Sequence, residues 1–422
     1  ADLKGGTTGQ ILSKATNTDM DFVWITNDQG DITGVTATSP LTGGGTSGAI
    51  TVGIQDASTS QKGSVQLSDS TSTTSSVLAA TPTAVKSAYD LAASAYAPAF
   101  TNNFFAGKNK IINGDFGVWQ RGTSISTTTG ASNYGADRFR FRCDFSAGSS
   151  TFTQQTFTPG AAPVAGYEGQ FFGRLTCGST STYANITQRI EDVRTLAGQT
   201  ATLSYWAKAS AAITLTPTFA QNFGSGGSST VFTFGTAVTL TTSWVRYTTT
   251  VSVPSITGKT IGTTVFLEIL FELANNLNSA TIDLWGVQVE AASTATPFQT
   301  ATGTKQGELA ACQRYYFRIS GNTGDRLAIG NNSGTTNSEV TTFFPVQMRV
   351  APTALEQSGT ASDYSVRSAG ANTTCSAVPF FGLGQTTSAS TSMPVAAGLI
   401  GGNGSFARSN ATGAYLGWSA EL

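Results

Sequence analysis

Arg138-Phe139-Arg140-Phe141-Arg142 alternates charged and aromatic side chains without a break. Successive residues of a strand point to opposite faces of its sheet, so this run predicts a strand with its Phe face inward and its Arg face outward. Working outward, the same period recurs at 171–177, 183–190, 202–209, 213–219, 244–253, 265–273 and 281–289, each run set off by Gly, Ser or Asn clusters. Eight or more such strands within 108–300 predict a jelly-roll β-sandwich. No period of 20 to 50 residues recurs, which argues against a repeat architecture.

Beyond that section, Leu309, Cys312 and Tyr316 recur at helical spacing and predict a short helix over 308–316, a joint between two β domains. Residues 301–422 then return to alternation and turns, with Phe343, Phe344, Phe380, Phe381, Phe406, Tyr415 and Trp418 available for a second, smaller β core. Upstream, Thr81 is a good N-cap, Pro82 suits the first helical position and Pro98 predicts the stop, so a helix occupies most of 76–98 and 99–107 is a linker. Val85, Ala88, Ala92 and Ala95 fall at a and d heptad spacing with Tyr89 and Tyr96 beside them, while Lys86 and Asp90 face away. Two readings of that stripe stand: a short coiled coil between identical chains, or one helix packed on a neighbouring domain. Residues 1–75 are poor in bulky apolar residues, with turn text at Gly5-Gly6 and Gly43-Gly44-Gly45 and short alternating pieces at 21–25 and 49–54. They read either as a disordered linker or as thin β-structure in which copies of the chain supply one another's missing neighbours; the adjoining helix favours the second.

The 422 residues (43.5 kDa) are enough for two to four domains. Lys and Arg number 23 against 24 Asp and Glu, so no basic excess is available to release counterions from a phosphate backbone, and nucleic acid is not an expected partner. His is absent, which removes Ser-His and Cys-His catalysis and imidazole metal ligation. No run approaches the ~18 apolar residues of a membrane span, so no membrane insertion is expected. The first residues lack the apolar core of an export signal. Cys143, Cys177, Cys312 and Cys375 are too widely spaced for a CxxC motif and read as buried thiols, with a Cys143–Cys177 disulfide as the alternative.

Three passages resemble the tail fibres and receptor-binding proteins of tailed bacteriophages. Gly6-Thr7-Thr8-Gly9-Gln10-Ile11-Leu12 with Asp21-Phe22-Val23-Trp24 and Pro40-Leu41-Thr42-Gly43-Gly44-Gly45 is similar to fibre shaft text. Gln61-Lys62-Gly63-Ser64-Val65-Gln66-Leu67-Ser68 followed by Ala80-Thr81-Pro82-Thr83-Ala84-Val85-Lys86-Ser87-Ala88-Tyr89 resembles a common fibre repeat. Asn113-Gly114-Asp115-Phe116 with Trp119-Gln120-Arg121-Gly122, closed by Ile282-Asp283-Leu284-Trp285-Gly286, resembles jelly-roll modules similar to carbohydrate-binding modules. The resemblance implies a mainly β homotrimeric fibre: an N-terminal β-shaft (1–75), a short three-helix coil, the jelly roll and a C-terminal distal β domain. It also implies a virion location after synthesis in the host cytoplasm, anchorage to other tail or adaptor proteins through the N-terminal region, and attachment to a host surface glycan or lipopolysaccharide. A purely structural appendage or collar fibre and a polysaccharide-cleaving tailspike are the alternatives.

Sugar sites combine aromatic faces with polar groups that fix hydroxyls. Trp206 and Trp244 lie on alternating strands and read as core, whereas Trp119 and Tyr134 sit in loop text near Arg121 and are glycan candidates. Tyr364, Arg367 and Arg408 are candidates in the last domain. No cofactor is expected apart from a structural Ca²⁺, for which Asp115, Asp283 and Glu290 match the placement seen in jelly-roll carbohydrate modules. A second oxygen-rich patch, Asp19, Asp21, Asn27, Asp28 and Asp31, lacks EF-hand spacing. Asp137 with Glu168, or Glu191 with Asp192, could be nominated as a cleaving pair, but nothing in their spacing selects them, and the chain is read as a non-enzyme.

Overall fold

The computed structural model describes residues 4–27, 33–102, 107–164 and 167–422, the side chains of 93–102 excepted. The chain divides into two compact units, Ala1–Asn103 and Phe104–Leu422. In the first, Gln10–Lys14 and Phe22–Thr26 form an antiparallel hairpin, Val35–Thr36, Leu41–Gly45 and Val52–Ile54 a three-stranded sheet, and Gln66–Ser68 runs parallel to Leu78–Ala80. These strands bury almost nothing. Among the described residues of this unit only Ala84 is buried, while Phe22, Ile25, Leu41, Ile54, Leu67 and Leu91 lie exposed.

Thr81 caps the following helix as expected, its Oγ1 accepting from the Ala84 N–H at 3.1 Å. The helix spans Pro82–Asn102 and so does not stop before Pro98. A proline this close to the end removes one intrahelical bond in the turn that frays first, a smaller loss than in mid-helix. Val85 and Tyr89 of the heptad stripe are 59% and 71% exposed. The Ala95 and Tyr96 side chains, and Asp28 and Asp31 of the oxygen-rich patch, lie outside the described residues.

The second unit opens with an antiparallel jelly-roll sandwich. One sheet has the order Ser124–Thr127, Ser150–Thr156, Phe171–Thr176, Thr281–Glu290, Thr200–Ala209, Val245–Ser252. The other runs Ser132–Tyr134, Phe139–Phe145, Ser181–Glu191, Phe266–Ala274, Thr214–Asn222, Val231–Phe234, with Val238–Thr239 also on Thr214–Asn222. The order skips through the chain because the chain crosses between the two sheets several times. Phe139, Phe141 and Cys143 point inward and are at most 1% exposed, and Arg140 and Arg142 point outward, as the alternation predicts. Arg138 departs from that pattern. It is 1% exposed, with a left-handed φ of 72°, and its guanidinium lies 3.4 Å from the centre of the Tyr315 ring and pairs with Glu421. The residue sits where a second sandwich covers the sheet, so its outward face is not solvent. All four cysteines are buried free thiols.

The helix joining the sandwiches is Lys305–Gln313, three residues earlier than the apolar spacing predicts. Thr304 sets the start by accepting the Gly307 N–H, and Tyr316 is already committed to the strand Tyr316–Gly321. That strand pairs with Ala414–Ser419, which also carries Glu356–Gln357. The facing seven-stranded sheet has the order Ala371–Thr374, Tyr364–Ser368, Gly404–Ser409, Arg326–Asn332, Asn337–Phe343, Ser388–Pro394, Phe380–Gly384. Its core holds Leu327, Val340, Tyr364, Val366, Met393, Leu416 and Trp418. Of the aromatics expected there, Phe344 and Trp418 are buried, but Phe343 and Phe380 are 68% and 53% exposed. Polar contacts join the sandwiches: Arg314 to Glu191 at 3.0 Å, Gln120 Nε2 to the Tyr316 carbonyl at 2.8 Å and Arg189 to the Leu422 carbonyl at 2.6 Å.

Candidate functional site

A cavity of about 620 Å³ lies against the opening loop of the jelly roll, the segment from Tyr167 to Phe171 and the start of the joining helix. The loop is shaped by Asn113, at φ 62°, whose side-chain amide donates to the carbonyls of Val118 and Asp137 at 2.9 and 3.0 Å. This turn drives Phe116 into the core, stacked on Phe139 at 4.4 Å, and leaves Asp115 and Trp119 on the cavity wall. Trp119 is held by its Nε1 donating to the Phe116 carbonyl at 2.7 Å and by stacking on Phe152 at 5.7 Å. Tyr167 stands edge-on to Trp285 and Phe298 and donates its hydroxyl to Asp115 at 3.3 Å. Gly169 completes this wall because a Cβ there would come within 2.9 Å of the Trp285 ring.

Lys305 and Glu308 reach the cavity from the helix. Glu308 is fixed, one oxygen accepting the Asn113 N–H and the other the Thr302 N–H, both at 2.7 Å. Burial raises both Asp115 and Glu308 above ordinary carboxyl values; their hydrogen bonds oppose the shift, and Asp115 pushes Glu308 further up. The same burial, with Asp115 beside it, pushes the Tyr167 hydroxyl well up, so it remains a donor at neutral pH. Three aromatic side chains (Trp119, Tyr167 and Phe171), hydroxyl and amide donors, carboxyl acceptors and one cation therefore share a space of the size that takes a small ligand.

A smaller cavity of about 330 Å³ is lined by Arg121, Tyr134, Arg318, Glu356 and Tyr415. Its guanidiniums are spoken for. Arg121 lies 3.5 Å from the Tyr316 ring centre and 4.8 Å from that of Tyr134, with Glu421 at 3.4 Å, and Arg318 lies 3.4 Å from the Tyr415 ring centre.

The structure thus divides the residues named from sequence. Asp115 and Trp119 share the large cavity, Arg121 and Tyr134 the small one, and Arg367 and Arg408 line neither. Tyr364 has no surface to offer: it is fully buried, donating to the Tyr415 carbonyl at 2.6 Å and accepting from the Ser358 N–H at 2.9 Å. The three carboxylates expected to hold calcium do not converge. Asp283 pairs with Arg174 at 2.6 Å and Lys208 at 3.6 Å, and Glu290 with Lys108 at 3.3 Å. Seven residues apart on one strand, Asp283 and Glu290 are separated by roughly 23 Å. Among the described residues no three acidic or thiol side chains are grouped to hold a metal ion. Of the nominated cleaving pairs, Glu168 lines the large cavity and accepts the Gly160 N–H, but its partner Asp137 is buried on Gln120 at 2.7 Å, while Glu191 pairs with Arg314 and Asp192 with Arg194. Sequence reasoning missed Tyr167, Lys305 and Glu308. For Tyr167 a signal existed, an aromatic in Gly166-Tyr167-Glu168-Gly169, whereas the helix residues are brought in by tertiary folding alone.

Among solved structures, the enzymatically active domain of tailspike protein 4 from bacteriophage CBA120 is similar at 17% identity over 44% of this chain, with a TM-score of 0.27; the chain spans 22% of that domain. The family 11 carbohydrate-binding module of the Clostridium thermocellum cellulase Lic26A-Cel5E is similar at 13% identity over 43% of this chain and 94% of the module, TM-score 0.25. A family 61 module in complex with β-1,4-galactotriose is similar at 9% identity, over 36% of this chain and 88% of the module, TM-score 0.23. Residues 58–99, which cover the parallel strand pair and most of the helix after it, match the family described as phage tail fibre repeat. The chain therefore carries a phage tail fibre repeat, followed by a unit of two β-sandwiches.

Proposed function

We propose that the chain is a virion tail fibre that attaches the particle to a glycan of the host surface, working as a homotrimer and without cleaving its ligand. The fibre repeat at 58–99 is the observation that carries the reading. The bare apolar residues of the first unit support the trimer, because strands and a helix with one buried side chain among the described residues need copies of themselves to bury the rest. The large cavity supports the glycan: Trp119 and Tyr167 offer ring surface to a pyranose, while Asp115, Gln120 and Lys305 offer acceptors and donors to its hydroxyls. Three such sites on one stalk raise effective concentration, so weak single contacts gain roughly 10² to 10⁴ in avidity.

The test is to incubate the purified chain with polysaccharide from the host envelope. Saturable binding is expected without new reducing ends, and Trp119→Ala or Lys305→Ala should weaken it about tenfold. Release of oligosaccharide would replace this reading with a cleaving tailspike. Absence of binding by the native chain would leave a structural appendage.

A further inference from the structure

The outer face of the seven-stranded sheet in the second sandwich gathers three arginines. Arg408 on Gly404–Ser409 pairs across the ladder with Arg326 on Arg326–Asn332, and Arg367 on Tyr364–Ser368 pairs with Phe406, two residues from Arg408 on the same strand. Directly opposed residues share a face, so the three guanidiniums, Phe406 and its other ladder partner Ile329 lie on one side of three adjacent strands, about 10 Å across. Like charges directly opposed on a sheet repel, which makes the Arg326–Arg408 pair a cost that the fold itself does not need.

Among the described residues no carboxylate is ion-paired with Arg326, Arg367 or Arg408, whereas Arg140, Arg142, Arg174 and Arg189 of the jelly roll each have one. The nearby acids are turned to other tasks: Asp325 accepts the Asn322 N–H and Asp363 the Ser358 hydroxyl. The guanidiniums are held in place by neutral groups instead. Arg326 lies 4.3 Å from the centre of the Phe406 ring, Arg367 donates to Asn372 at 3.2 Å, and Arg408 donates through Nε to the Gly324 carbonyl at 3.0 Å. Each contact leaves other N–H donors unspent on a face where Arg326 and Ile329 are exposed.

We propose that this face binds an acidic polysaccharide, its carboxylate or phosphate groups on Arg326, Arg367 and Arg408 and its sugar rings on Phe406 and Ile329. Guanidinium forks suit such anions, and their prior positioning lowers the ordering cost of binding. The proposal rests on the attachment reading for its biological sense, but not on the cavity of the jelly roll.

The full chain is titrated with polygalacturonate, with the same polymer fully methyl-esterified, and with a single-stranded oligonucleotide. Polygalacturonate should bind, more weakly as salt rises. Arg326→Ala with Arg408→Ala should weaken binding about tenfold or more, Arg367→Ala should do so to a lesser degree, and the ester should bind at least about tenfold less well than the acid. Unchanged thermal melting shows that the variants fold, and Arg367→Ala, which removes one side-chain hydrogen bond, serves if the double variant does not. The proposal is overturned if the native chain ignores polygalacturonate at low salt, if the arginine variants bind it undiminished, or if the ester binds equally well. An oligonucleotide bound as tightly, through the same arginines, would overturn the polysaccharide assignment. Arginine-dependent binding of the acid in a chain that fails to adsorb to host cells would uphold this site and defeat the attachment role alone.

Discussion

Asp115 shows how one residue can serve a site at the expense of the fold. Burial holds its carboxyl above the ordinary 3.8. A carboxyl raised on folding contributes stability that is complete below its unfolded value and is lost as pH climbs through the folded one. Asp115→Asn keeps an acceptor for the Gly117 N–H and the Tyr167 hydroxyl but cannot ionise. It should raise the melting temperature at pH 7 by about 2 °C and leave it unchanged near pH 3, as calorimetry at the two pH values would show. Gly173 makes a steric prediction. A methyl there would meet Phe152 at 2.6 Å and Phe116 at 2.8 Å, so Gly173→Ala should cost about 1–3 kcal/mol in urea unfolding. Loop position was enough to nominate Trp119, because it has no place in an alternating strand, whereas Asp115 was named only for calcium, from the resemblance to jelly-roll carbohydrate modules. It failed at Tyr364, whose side chain goes inward because a second sheet covers that side of its strand, a fact no local pattern records.

At the scale of elements, the jelly-roll strands were legible because burial on one face writes itself into every second residue, as in Phe139, Phe141 and Cys143. The joint between the sandwiches was not legible, since its partners are far apart in sequence: Glu421 reaches back to Arg138 and Arg121, and Glu191 forward to Arg314. Arg138 read as an outward charge for that reason. Both it and Glu421 are nearly inaccessible, 1% and 6% exposed, so removing one leaves an uncompensated buried charge. Glu421→Ala should destabilise the second unit by about 3–5 kcal/mol in urea unfolding. The exposed pair Arg194–Asp192 should behave differently, with Arg194→Ala costing about 0–1 kcal/mol.

For the whole molecule, the decisive contrast is between a second unit with two closed cores and a first unit with one buried side chain among its described residues. If copies of the chain close the first unit, native mass measurement should give one species near 130 kDa, about three times 43.5 kDa. Val85→Asp, placed on an exposed apolar stripe of the helix, should shift that species toward the single chain. The Arg138–Glu421 contact also constrains the order of events during translation. Its partners lie 283 residues apart, so at ~5–20 residues per second the acidic partner leaves the ribosome roughly 15–60 s after the arginine. Through that interval a nascent jelly roll holds this guanidinium without its Glu421 partner, and its final locking waits for residues made long after its own strands are finished.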